Sequence, residues 1–527
     1  MAKPSNYWDK RALRRLTDAE KQGEEYSKRV RKIYAQAEKN IQRDIDEIYA
    51  RYSKDTGMDV QSLKELLTKS ESKKMWDELK AQGLDKYVKG NYKARITRLE
   101  QLQAQIYAKA KAIAPKEQKL NTECYKGVIN DTYYKSIYDT QMGVGQDFTF
   151  SRLDDNLVDS VLSESWSGSN YSKRIWGNTD LLAEKLSEVL GGGLLSGQSI
   201  EKTSQQIRER FDVSKYYADR LVRTETNHFH NEADAMAYEE MGVEKYVFMS
   251  VLDTRTSKIC QGLDGKVIEL KDKQEGVNFP PMHPNCRSTT RAYMGEEIEA
   301  TLTRRARNPV TGKNEVIGNM PYEDWYNAKV KDHGQEEIDK AFKMTANENA
   351  DKKQYERYVS RLGDKDVGTL DNFRKIKYNN TEKHQELTEL YRYKGRVPEA
   401  TKEDFKTYKA IKEMGIKGSV RVPPHPPQRA YILEDKSARK ERSHIMERMF
   451  ERHITDDEVQ SYIDNAVFSV SQFNGTRRTF YSKEGVTVLK QTKDYEGIEW
   501  IAKTTWNKSD FDDNVEKIIK EALRNGE

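Results

Sequence analysis

The chain has 527 residues, of which 36% are hydrophobic and 34% are charged. A chain of this length divides into several cores, and a charged share well above the usual value of about a quarter indicates long solvated helices. No segment approaches the roughly 18 to 20 uninterrupted apolar residues of a membrane helix, and the start, MAKPSNYWDKRALRRL, lacks the apolar centre of a signal peptide. The sequence therefore predicts a soluble protein, without a membrane anchor, that is made and used in the cytoplasm.

The positive charge is concentrated at the front of the chain. Residues 1–120 carry 28 Lys and Arg against 18 Asp and Glu, a net charge of +10, and because the whole chain is +5 the remainder is −5. Such asymmetry suits contact with DNA or with an acidic protein surface, although mixed signs on a helix more often form a solvated face, which we favour. The three cysteines are too few for a disulfide framework, and their odd number fits a reducing compartment.

Residues 1–120 are predicted to form a helical, partly coiled-coil arm. From Tyr26 to Tyr52 the apolar residues recur in steps of three and four, which places them in one stripe on a long helix that stops near residues 56–58. A second helix is predicted to end at Gly83 and a third to end before Pro115. Helices that pack only on one another are favoured here over a DNA clamp.

The next part of the chain changes character twice. Residues 121–198 are aromatic and polar and include the run GGGLLSGQS, so we predict an irregular connecting region. Residues 199–300 predict a small α+β core, with a helix that starts at Ser199 and a longer one over 214–241. A strand over 245–251, a loop, an Asp264-Gly265 turn and a second strand complete this core.

Two further regions follow the core. Residues 301–428 are charged and helical in tendency and end in the Pro-rich linker VPPHPPQ. In residues 429–527, SARKERSHIMERMFERH and DDEVQSYIDNAV predict two helices, and FSVSQF, RRTFYS, VTVLKQ and GIEWIAKTTW predict four antiparallel strands. The predicted fold class is therefore mostly-α α+β: an N-terminal helical arm, a small α+β core, a helical linker region, and a C-terminal module of two helices and a four-stranded antiparallel sheet.

Two of the three cysteines lie near a histidine in the core. Cys260, His283 and Cys286 supply two thiolates and an imidazole, the ligand types of a Zn²⁺ site, and His283 and Cys286 have the short spacing of such sites. The candidates for a fourth ligand are Asp253, His228 and His230. Two alternatives remain open: a rigid proline turn in which both cysteines are small buried hydrophobes, or a disulfide between them formed after the protein leaves the cell.

Four motifs follow one another in this core: RTETN at 223–227, VLDTRTSKIC, LDGKV and PPMHPNCR. In this order they resemble the Mu F-like family of phage minor head proteins, also called phage head morphogenesis proteins. The helical arm and the segment YVSRLGDKDVGTLDNFRKIKYNN at 358–380 are also similar to Gram-positive phage members of that family. The resemblance covers residues 1–395, and its sharpest motifs lie between 196 and 290, so 199–300 is interpreted as the Mu F-like core.

The resemblance implies a role in the virion. A few copies would lie inside the head near the portal, acting in head morphogenesis, DNA packaging or DNA ejection. The implied partners are the portal protein and the major capsid or scaffolding protein, with phage DNA as a further partner of the basic arm. The implied locations are the head interior and, during assembly, the host cytoplasm.

None of the residues that match the family signature is an established catalytic residue of that family. They are Arg223, Thr224, Glu225, Asp253, Arg255, Thr256, Cys260, Gly265, Pro281, His283, Pro284, Cys286 and Arg287. We expect Arg223 and Glu225 to form a charge network that joins the long helix to the strand pair. We expect HPNC to lock the fold of the core, either alone or through Zn²⁺.

Familiar catalytic motifs are absent from the sequence, including the Walker A loop, the GxSxG elbow, HExxH and the dinucleotide fingerprint. Glu297-Ile298-Glu299 resembles the paired glutamates of ADP-ribosyltransferases, but the other parts of that site are missing and we predict no such activity. Residues 1–428 are therefore not expected to form an enzyme.

The C-terminal module, residues 429–527, resembles in its layout the small ribonucleases of the barnase, EndoU, colicin and RelE type, and phage minor head proteins as a family carry such toxin-like domains. RNA cleavage needs a base, an acid and cations that hold phosphate. The candidates for proton exchange are His453 and His444, those for holding phosphate are Arg477, Arg478, Lys490 and Lys503, and those for hydrogen bonding are Tyr481, Thr504 and Thr505. Helix capping by the histidines and protection of an exposed sheet by the cations are the structural alternatives.

Three functional hypotheses follow. The first is a structural and assembly component of a phage virion. The second is an effector that is loaded into the head and whose C-terminal ribonuclease-like module acts in the host. The third is a nucleic-acid-binding protein that uses its basic arm.

Overall fold

The structure is a computed structural model that describes residues 6–54, 57–88, 96–147, 149–436, 441–493 and 497–524. It divides into two compact units, Met1–Phe342 and Lys343–Glu527. Helices hold 64% of the residues and strands 12%, and the sheets are small and antiparallel. The predicted mostly-α α+β fold class is confirmed.

The first unit is a body of long helices that carries a small sheet and a hairpin. Its helices are α1 (Tyr7–Tyr52), α2 (Val60–Lys64), α3 (Lys69–Ala81), α4 (Arg98–Lys111), α5 (Ile113–Val144), α6 (Asp155–Ser163), α7 (Tyr171–Leu195), α8 (Ile200–Glu240), α9 (Lys258–Leu263), α10 (Glu296–Glu299) and α11 (Tyr322–His333). Its strands are β1 (Ser53–Lys54), β2 (Gly57–Met58), β3 (Lys245–Met249), β4 (Val267–Glu269), β5 (Thr289–Ala292), β6 (Thr303–Arg307) and β7 (Asn314–Gly318). Helix α12 (Gln335–Ala346) contains the division between the units.

The long N-terminal helix forms as its apolar stripe predicts. Val30, Ile41 and Ile45 of α1 are buried, in one cluster with Leu190 of α7 and Phe211 of α8. The prediction of a separate arm is wrong, because α1 packs on α5 and α8 within the first unit. A stripe shows which face of a helix is buried but not which element covers it.

The prediction of an irregular region over residues 121–198 is also wrong. α5, α6 and α7 occupy most of it, and α5 buries Tyr125, Ile129, Tyr133 and Ile137 in steps of four. Tyrosines alternate with isoleucines in this stripe, so the segment has a polar composition and yet a helical period.

The glycine run at 191–193 lies inside α7 and does not end it. A Cβ on Gly191 would lie 2.5 Å from Gln103 Nε2 of α4, and one on Gly193 would lie 2.7 Å from Thr203 Oγ1 of α8. The absence of these side chains lets α7 approach two neighbouring helices closely.

The two helices predicted at 199 and 214–241 are one continuous helix, α8. The Ser199 side chain caps its start by accepting from the Lys202 amide, and Gly242, with φ at 66°, follows its end. After α8 comes an antiparallel sheet with the order β4-β3-β5, and the Asp264-Gly265 turn precedes β4 as predicted. Arg304 of β6 pairs with buried Asp264 at 2.8 Å, so the core continues beyond the predicted limit at residue 300.

The second unit contains a helical half and a sheet half. Its helices are α13 (Glu348–Leu362), α14 (Asp364–Val367), α15 (Leu370–Asn379), α16 (Thr381–Arg396), α17 (Lys402–Glu413), α18 (His444–Arg452), α19 (Asp456–Asp464) and α20 (Asp513–Arg524). Its strands are β8 (Ser419–Arg421), β9 (Asp435–Lys436), β10 (Glu441–Arg442), β11 (Ala466–Gln472), β12 (Arg477–Ser482), β13 (Gly485–Gln491) and β14 (Trp500–Asn507).

The two C-terminal helices and the four strands are present as α18, α19 and β11–β14. Two parts of the sheet were not predicted: β8 pairs with β11 to give the order β14-β13-β12-β11-β8, and α20 packs on the face that carries Phe468 and Val486. Residues 437–440 of the predicted first helix lie outside the described residues, and α18 begins at His444 after the Ser443 cap.

The predicted boundary at 428/429 is wrong, because the sheet shares a core with the helices before it. Phe468 and Val470 pack in one cluster with Tyr393 of α16 and Ile411 of α17. The Pro-rich segment is not a linker: it starts with Val422, whose backbone N–H donates to the Tyr393 hydroxyl and whose carbonyl accepts from it. The second unit therefore begins at 343.

Within the described residues, no helix is both long enough and apolar enough to span a lipid bilayer.

Candidate functional site

The centre of α8 is polar and yet buried. Thr224, Glu225, Asn227, His230 and Asp234 all lie inside the first unit. A buried polar group is costly unless it has a partner, so such a stretch must be held by hydrogen bonds from the elements around it.

Two residues of α8 hold the HPNC loop. The Thr224 hydroxyl donates to the Arg220 carbonyl and accepts from the Asn285 amide at 3.0 Å, while Asn227 Nδ2 donates to the Ser288 carbonyl at 2.9 Å. Asn285 has φ at 59°, a left-handed conformation that asparagine tolerates better than most residues. Signature residue Thr224 therefore joins the helix to the loop.

The expected role of Arg223 and Glu225 needs correction. Glu225 is paired with Arg174 of α7 and accepts from Trp166 Nε1 at 3.0 Å, whereas half-exposed Arg223 lies 3.3 Å from Glu24 of α1. Both residues therefore join α8 to other helices and not to the strands. Burial raises the pKa of Glu225 to about 7, against the hydrogen bond from Trp166 and the charge of Arg174.

Asp253 fixes the loop between β3 and α9. It accepts two hydrogen bonds from the Arg287 guanidinium, both at 2.8 Å, and one from the Arg255 amide at 2.9 Å. Burial alone would raise the pKa of Asp253, but the hydrogen bonds from Arg287 outweigh it and the pKa is lowered. The Thr256 hydroxyl donates to the Val251 carbonyl and closes the same loop.

The Gly265 turn requires a glycine. Its φ is 79°, and a Cβ there would also contact Pro321 at 3.4 Å. The preceding Asp264 accepts from the Ser250 amide at 2.6 Å, and Arg304 donates to both of its carboxylate oxygens. The turn is thus tied to β3 and to β6.

Cys260, His283 and Cys286 come together as predicted from their spacing. The two sulfurs are 3.8 Å apart, and Cys260 Sγ lies 3.5 Å from His283 Nε2. His283 Nδ1 is 2.9 Å from the Pro284 carbonyl, which assigns its proton to Nδ1 and leaves the Nε2 lone pair facing the sulfur. A hydrogen bond from the Cys286 thiol lowers the pKa of Cys260.

These distances fit a tetrahedral metal. With Zn–S bonds of about 2.3 Å and a Zn–N bond of about 2.0 Å, tetrahedral Zn²⁺ gives S···S and S···N edges of about 3.8 and 3.5 Å. Both cysteines are free thiols in this structure, and the disulfide expected after the protein leaves the cell stays a prediction. Cys260, His283 and Cys286 could therefore supply three of the ligands of a Zn²⁺ ion. Both cysteines also lie in a buried hydrophobic cluster, as the proline-turn alternative expects.

The three suggested fourth ligands are engaged elsewhere. Asp253 holds Arg287, and His230 lies between the hydroxyls of Thr132 and Thr289 at 3.0 and 3.1 Å. His228 stacks on Trp166. In the part of the chain that the structure describes, no other His, Cys, Asp or Glu joins the three ligands.

A second cluster was not predicted from the sequence. His228 and Glu232, one turn apart on α8, meet Glu275, with His228 Nδ1 3.6 Å from Glu275 Oε1. Lys273 lies 2.6 Å from Glu232 and supplies the positive charge. Burial lowers the pKa of His228 to about 4, and burial and Glu232 raise that of Glu275. The i, i+4 spacing of His228 and Glu232 was the available signal, but Glu275 is distant in sequence.

Both clusters border one cleft. It measures about 720 Å³ and lies between α7, α8 and the HPNC loop. Arg174, Glu275 and His283 contribute to its wall, together with the prolines Pro281 and Pro284 of the signature.

The predicted C-terminal catalytic set is not brought together. His444 and His453 flank α18, roughly 14 Å apart at 1.5 Å per residue. α18 packs on the sheet face that carries Phe480, whereas the strand register places Arg477, Lys490 and Thr504 on the opposite face.

The five predicted catalytic side chains are also not joined by direct polar contacts: among the described residues, no hydrogen bond or ion pair links any two of them. His444 is half-exposed and lies 3.9 Å from Glu447, and His453 is the C-cap of α18 with φ at 53°. The capping alternative describes His453 better.

One histidine was missed. His425, in the supposed linker, contacts Ser469 and Ser471 of β11 with its two ring nitrogens, at 2.7 and 3.3 Å. The signal for it was a histidine between two proline pairs, PPHPP, which is a rigid setting for a side chain.

Of the paired glutamates at 297 and 299, Glu297 is exposed and Glu299 is bound by an arginine. Both lie on α10, and Arg291 donates to both carboxylate oxygens of Glu299 at 2.5 Å.

Comparison with known proteins gives two relatives and one family. The family model described as Phage Mu protein F like protein matches residues 184–291. Minor head protein GP7 of Bacillus phage SPP1 is 25% identical over 321 residues, which are 58% of this chain and 97% of that protein. No solved structure matches.

The second relative is an NAD(+)–arginine ADP-ribosyltransferase, EFV, of Enterococcus faecalis. It is 22% identical over 213 residues, which are 38% of this chain and only 42% of that protein.

The matched family segment spans α8, the β4-β3-β5 sheet and the HPNC loop, where all the signature residues lie. Residues 184–291 therefore carry the domain of the Mu F-like family, and the predicted resemblance to the phage minor head proteins of that family is confirmed.

Proposed function

We propose that this chain is a minor head protein that acts in head morphogenesis and lies inside the phage head near the portal, where it aids DNA packaging or ejection. The observation that carries the proposal is the alignment with the SPP1 minor head protein, which extends over 97% of that protein. Its partners would be the portal protein and the major capsid or scaffolding protein.

The geometry of the core supports an architectural role. The signature side chains Thr224, Glu225, Asp253 and Arg287 each bind another part of the same unit. Side chains that are engaged in such hydrogen bonds and ion pairs stabilise one arrangement of helices and loops, and they are not free to act on a substrate.

Particles of the phage that encodes the chain provide the test. Mass spectrometry of gradient-purified virions should detect the chain at a few copies per head, and it should resist protease until the heads are opened. Deletion should reduce the yield of DNA-filled or infectious particles. Absence of the chain from purified heads, with the major capsid protein as an internal standard, would refute the proposal.

We further propose that Cys260, His283 and Cys286 hold one Zn²⁺, with water as the fourth ligand, and that the metal stabilises the HPNC loop. The support is the match between the observed distances and the edges of a zinc tetrahedron. Structural zinc contributes directly to folding free energy, so its removal should loosen the core.

Metal analysis of the purified full-length chain tests this. We expect about one Zn²⁺ per chain, lost in Cys260→Ser and Cys286→Ser and retained in Cys124→Ser, since Cys124 is buried in a different cluster. Substitution with Co²⁺ should give thiolate charge-transfer absorption. A folded wild-type chain that takes up no Zn²⁺ on reconstitution would contradict the proposal.

The effector hypothesis is the second candidate. The alignment with GP7 uses 58% of this chain, so about two fifths has no counterpart in it, and the other relative bears the name of an enzyme. An RNA-cleavage assay on the full chain beside His444→Ala and His453→Ala tests the ribonuclease version. Because those histidines lie at opposite ends of α18, they cannot act together as the acid and base of one cleavage reaction. We therefore expect neither substitution to abolish RNA cleavage.

DNA binding by the basic N-terminal segment is the weakest of the three. Several of its cations are paired within the unit, including Arg15 with Asp139 and Asp234, and Lys109 with Asp44. Binding through phosphates would weaken steeply as salt rises, and DNA affinity that is independent of salt would exclude it.

A further inference from the structure

The second unit holds a cluster of cations on its sheet, independent of the head-protein role. Register places Arg421 of β8 opposite Ser469 of β11, and Arg478 of β12 opposite Ser471 of β11. Directly paired and alternate residues share a face, so all four side chains lie on the same side of the sheet. This face is the one that α18 and α19 cover further along.

The Pro-rich segment places His425 over this cluster. Its backbone N–H donates to Ser469 Oγ at 2.8 Å, and its ring nitrogens contact the two serine hydroxyls. Burial, then the charges of Arg478 and Arg421, lower the pKa of His425 to about 4, while Glu399 acts in the opposite direction. The imidazole is therefore neutral at pH 7, and both arginines are close enough to affect it.

Three N–H donors in this cluster have no acceptor among the described residues. Within the described residues, Arg421 Nε, Arg478 Nε and Trp500 Nε1 are buried and have no hydrogen-bond partner. Arg478 lies over the Trp500 ring, 4.3 Å from its centroid, so the two unpaired donors are neighbours. Arg421 reaches Glu399 with its NH2 group, which leaves its Nε unused. Unpaired buried donors beside Arg478, whose charge has no ion-pair partner among the described residues, are a binding opportunity for an anion.

We propose that Arg421, His425, Ser471 and Arg478 form a phosphate-binding site on the sheet of the second unit. Phosphate offers at least three acceptor oxygens, enough for the two arginines and the Ser471 hydroxyl, whereas a carboxylate offers two. Arginine suits this role because its guanidinium is always charged and binds phosphate in a fixed geometry. The phosphate can belong to a nucleic-acid strand or be free, and both sources share this chemistry.

Binding by the full-length chain tests the site. Inorganic phosphate is titrated by calorimetry, with acetate as the carboxylate comparison, and a fluorescein-labelled single-stranded RNA 12-mer is titrated by anisotropy. Arg421→Gln and Arg478→Gln should each weaken phosphate binding by about tenfold, the scale of one charge-assisted contact. Lys483→Gln, which removes the same charge from an exposed turn of the same sheet, should leave it unchanged.

The RNA measurement identifies the source. RNA binding tighter than phosphate, competed by phosphate and weakened by the same two substitutions, would assign the site to a nucleic-acid backbone. Phosphate binding with no RNA binding would assign it to a free phosphate or a small phosphorylated molecule.

Two outcomes would overturn the site. One is a folded wild-type chain that binds neither phosphate nor RNA. The other is an equal loss in Lys483→Gln and Arg478→Gln, which would show that only net charge matters. Arg478→Lys keeps the charge, and should still weaken phosphate binding if guanidinium geometry is required. Circular dichroism melts of each variant separate lost binding from lost folding.

Discussion

Arg304 of the first unit and Arg478 of the second have opposite hydrogen-bonding environments. In the first, Arg304 donates to both oxygens of Asp264 and also to the Ser250 and Met320 carbonyls. In the second, Arg478 has an Nε without an acceptor among the described residues and rests on Trp500. A paired arginine is part of the fold, whereas an unpaired one places a cost on the fold that a ligand can relieve. By this comparison Arg304 is a structural residue, whereas Arg478 is a candidate ligand-binding residue.

Arg304→Gln should cause the largest loss of stability. It leaves Asp264 buried without its cation, and breaking a buried pair by removing one partner costs about 3–5 kcal/mol. Chemical unfolding of the full chain, followed for its first unit, measures the change, with exposed Arg208→Gln of α8 as the control. A loss below about 1 kcal/mol would mean that the pair is not structural.

Glu225→Gln should change how stability depends on pH. The folded pKa of Glu225, about 7, is above the ordinary 4.5, so the folded state binds more protons between these values and loses stability as pH rises through them. The variant lacks this loss. Relative to wild type it should therefore gain on the order of 2 kcal/mol between pH 4.5 and 7.5. Unfolding at both pH values measures the gain, and Glu209→Gln, on an exposed position of α8, should show none.

Thr224→Val should have a moderate effect. It removes the acceptor for the Asn285 amide, and an unsatisfied buried donor costs about 1–3 kcal/mol. Thr17 makes the same bond to a carbonyl four residues earlier but is exposed, so Thr17→Val is the matched control. Equal melting temperatures for the two variants would show that Thr224 does not hold the HPNC loop.

Arg478→Gln should cost the least, within about 1 kcal/mol, because it removes a charge that has no ion-pair partner among the described residues. The lost stacking on Trp500 and the relieved repulsion from Arg421 oppose each other. Added phosphate should raise the melting temperature of the wild type and not of the variant, since a ligand stabilises only the state that binds it. If Arg478→Gln lost as much stability as Arg304→Gln, Arg478 would be as important to the fold as Arg304, and the difference between the two arginines would disappear.

Local patterns predicted much of this fold and failed where contacts are distant. The stripe of α1, the Gly265 turn, and strands β11 to β14 were all visible as short-range periodicity or turn chemistry. The helices between 121 and 198 were missed because the segment has a polar and aromatic composition, and tyrosines alternate with isoleucines in the buried stripe of α5. The domain boundary was missed because a proline-rich composition resembles a linker, although Val422 is hydrogen-bonded to Tyr393.

The sites followed the same rule. Cys260, His283 and Cys286 could be grouped because thiol and imidazole are rare in this chain and share one chemistry. The His425 cluster could not, since its serines and arginines are common residues that only the pairing of β8, β11 and β12 brings together. Glu275 was not predicted for a related reason: it is far in sequence from His228 and Glu232 of α8, with which it forms a cluster.

Strand β8 limits where the chain can be truncated without exposing an edge of the C-terminal sheet. A fragment that starts after the proline-rich segment would lose β8, and the backbone of β11 that faces Ser419–Arg421 would become an open edge able to pair with other chains. Such a fragment would aggregate, whereas one that retains β8 keeps the edge of β11 covered. Any exchange of C-terminal parts between related chains would therefore have to keep β8 together with β11.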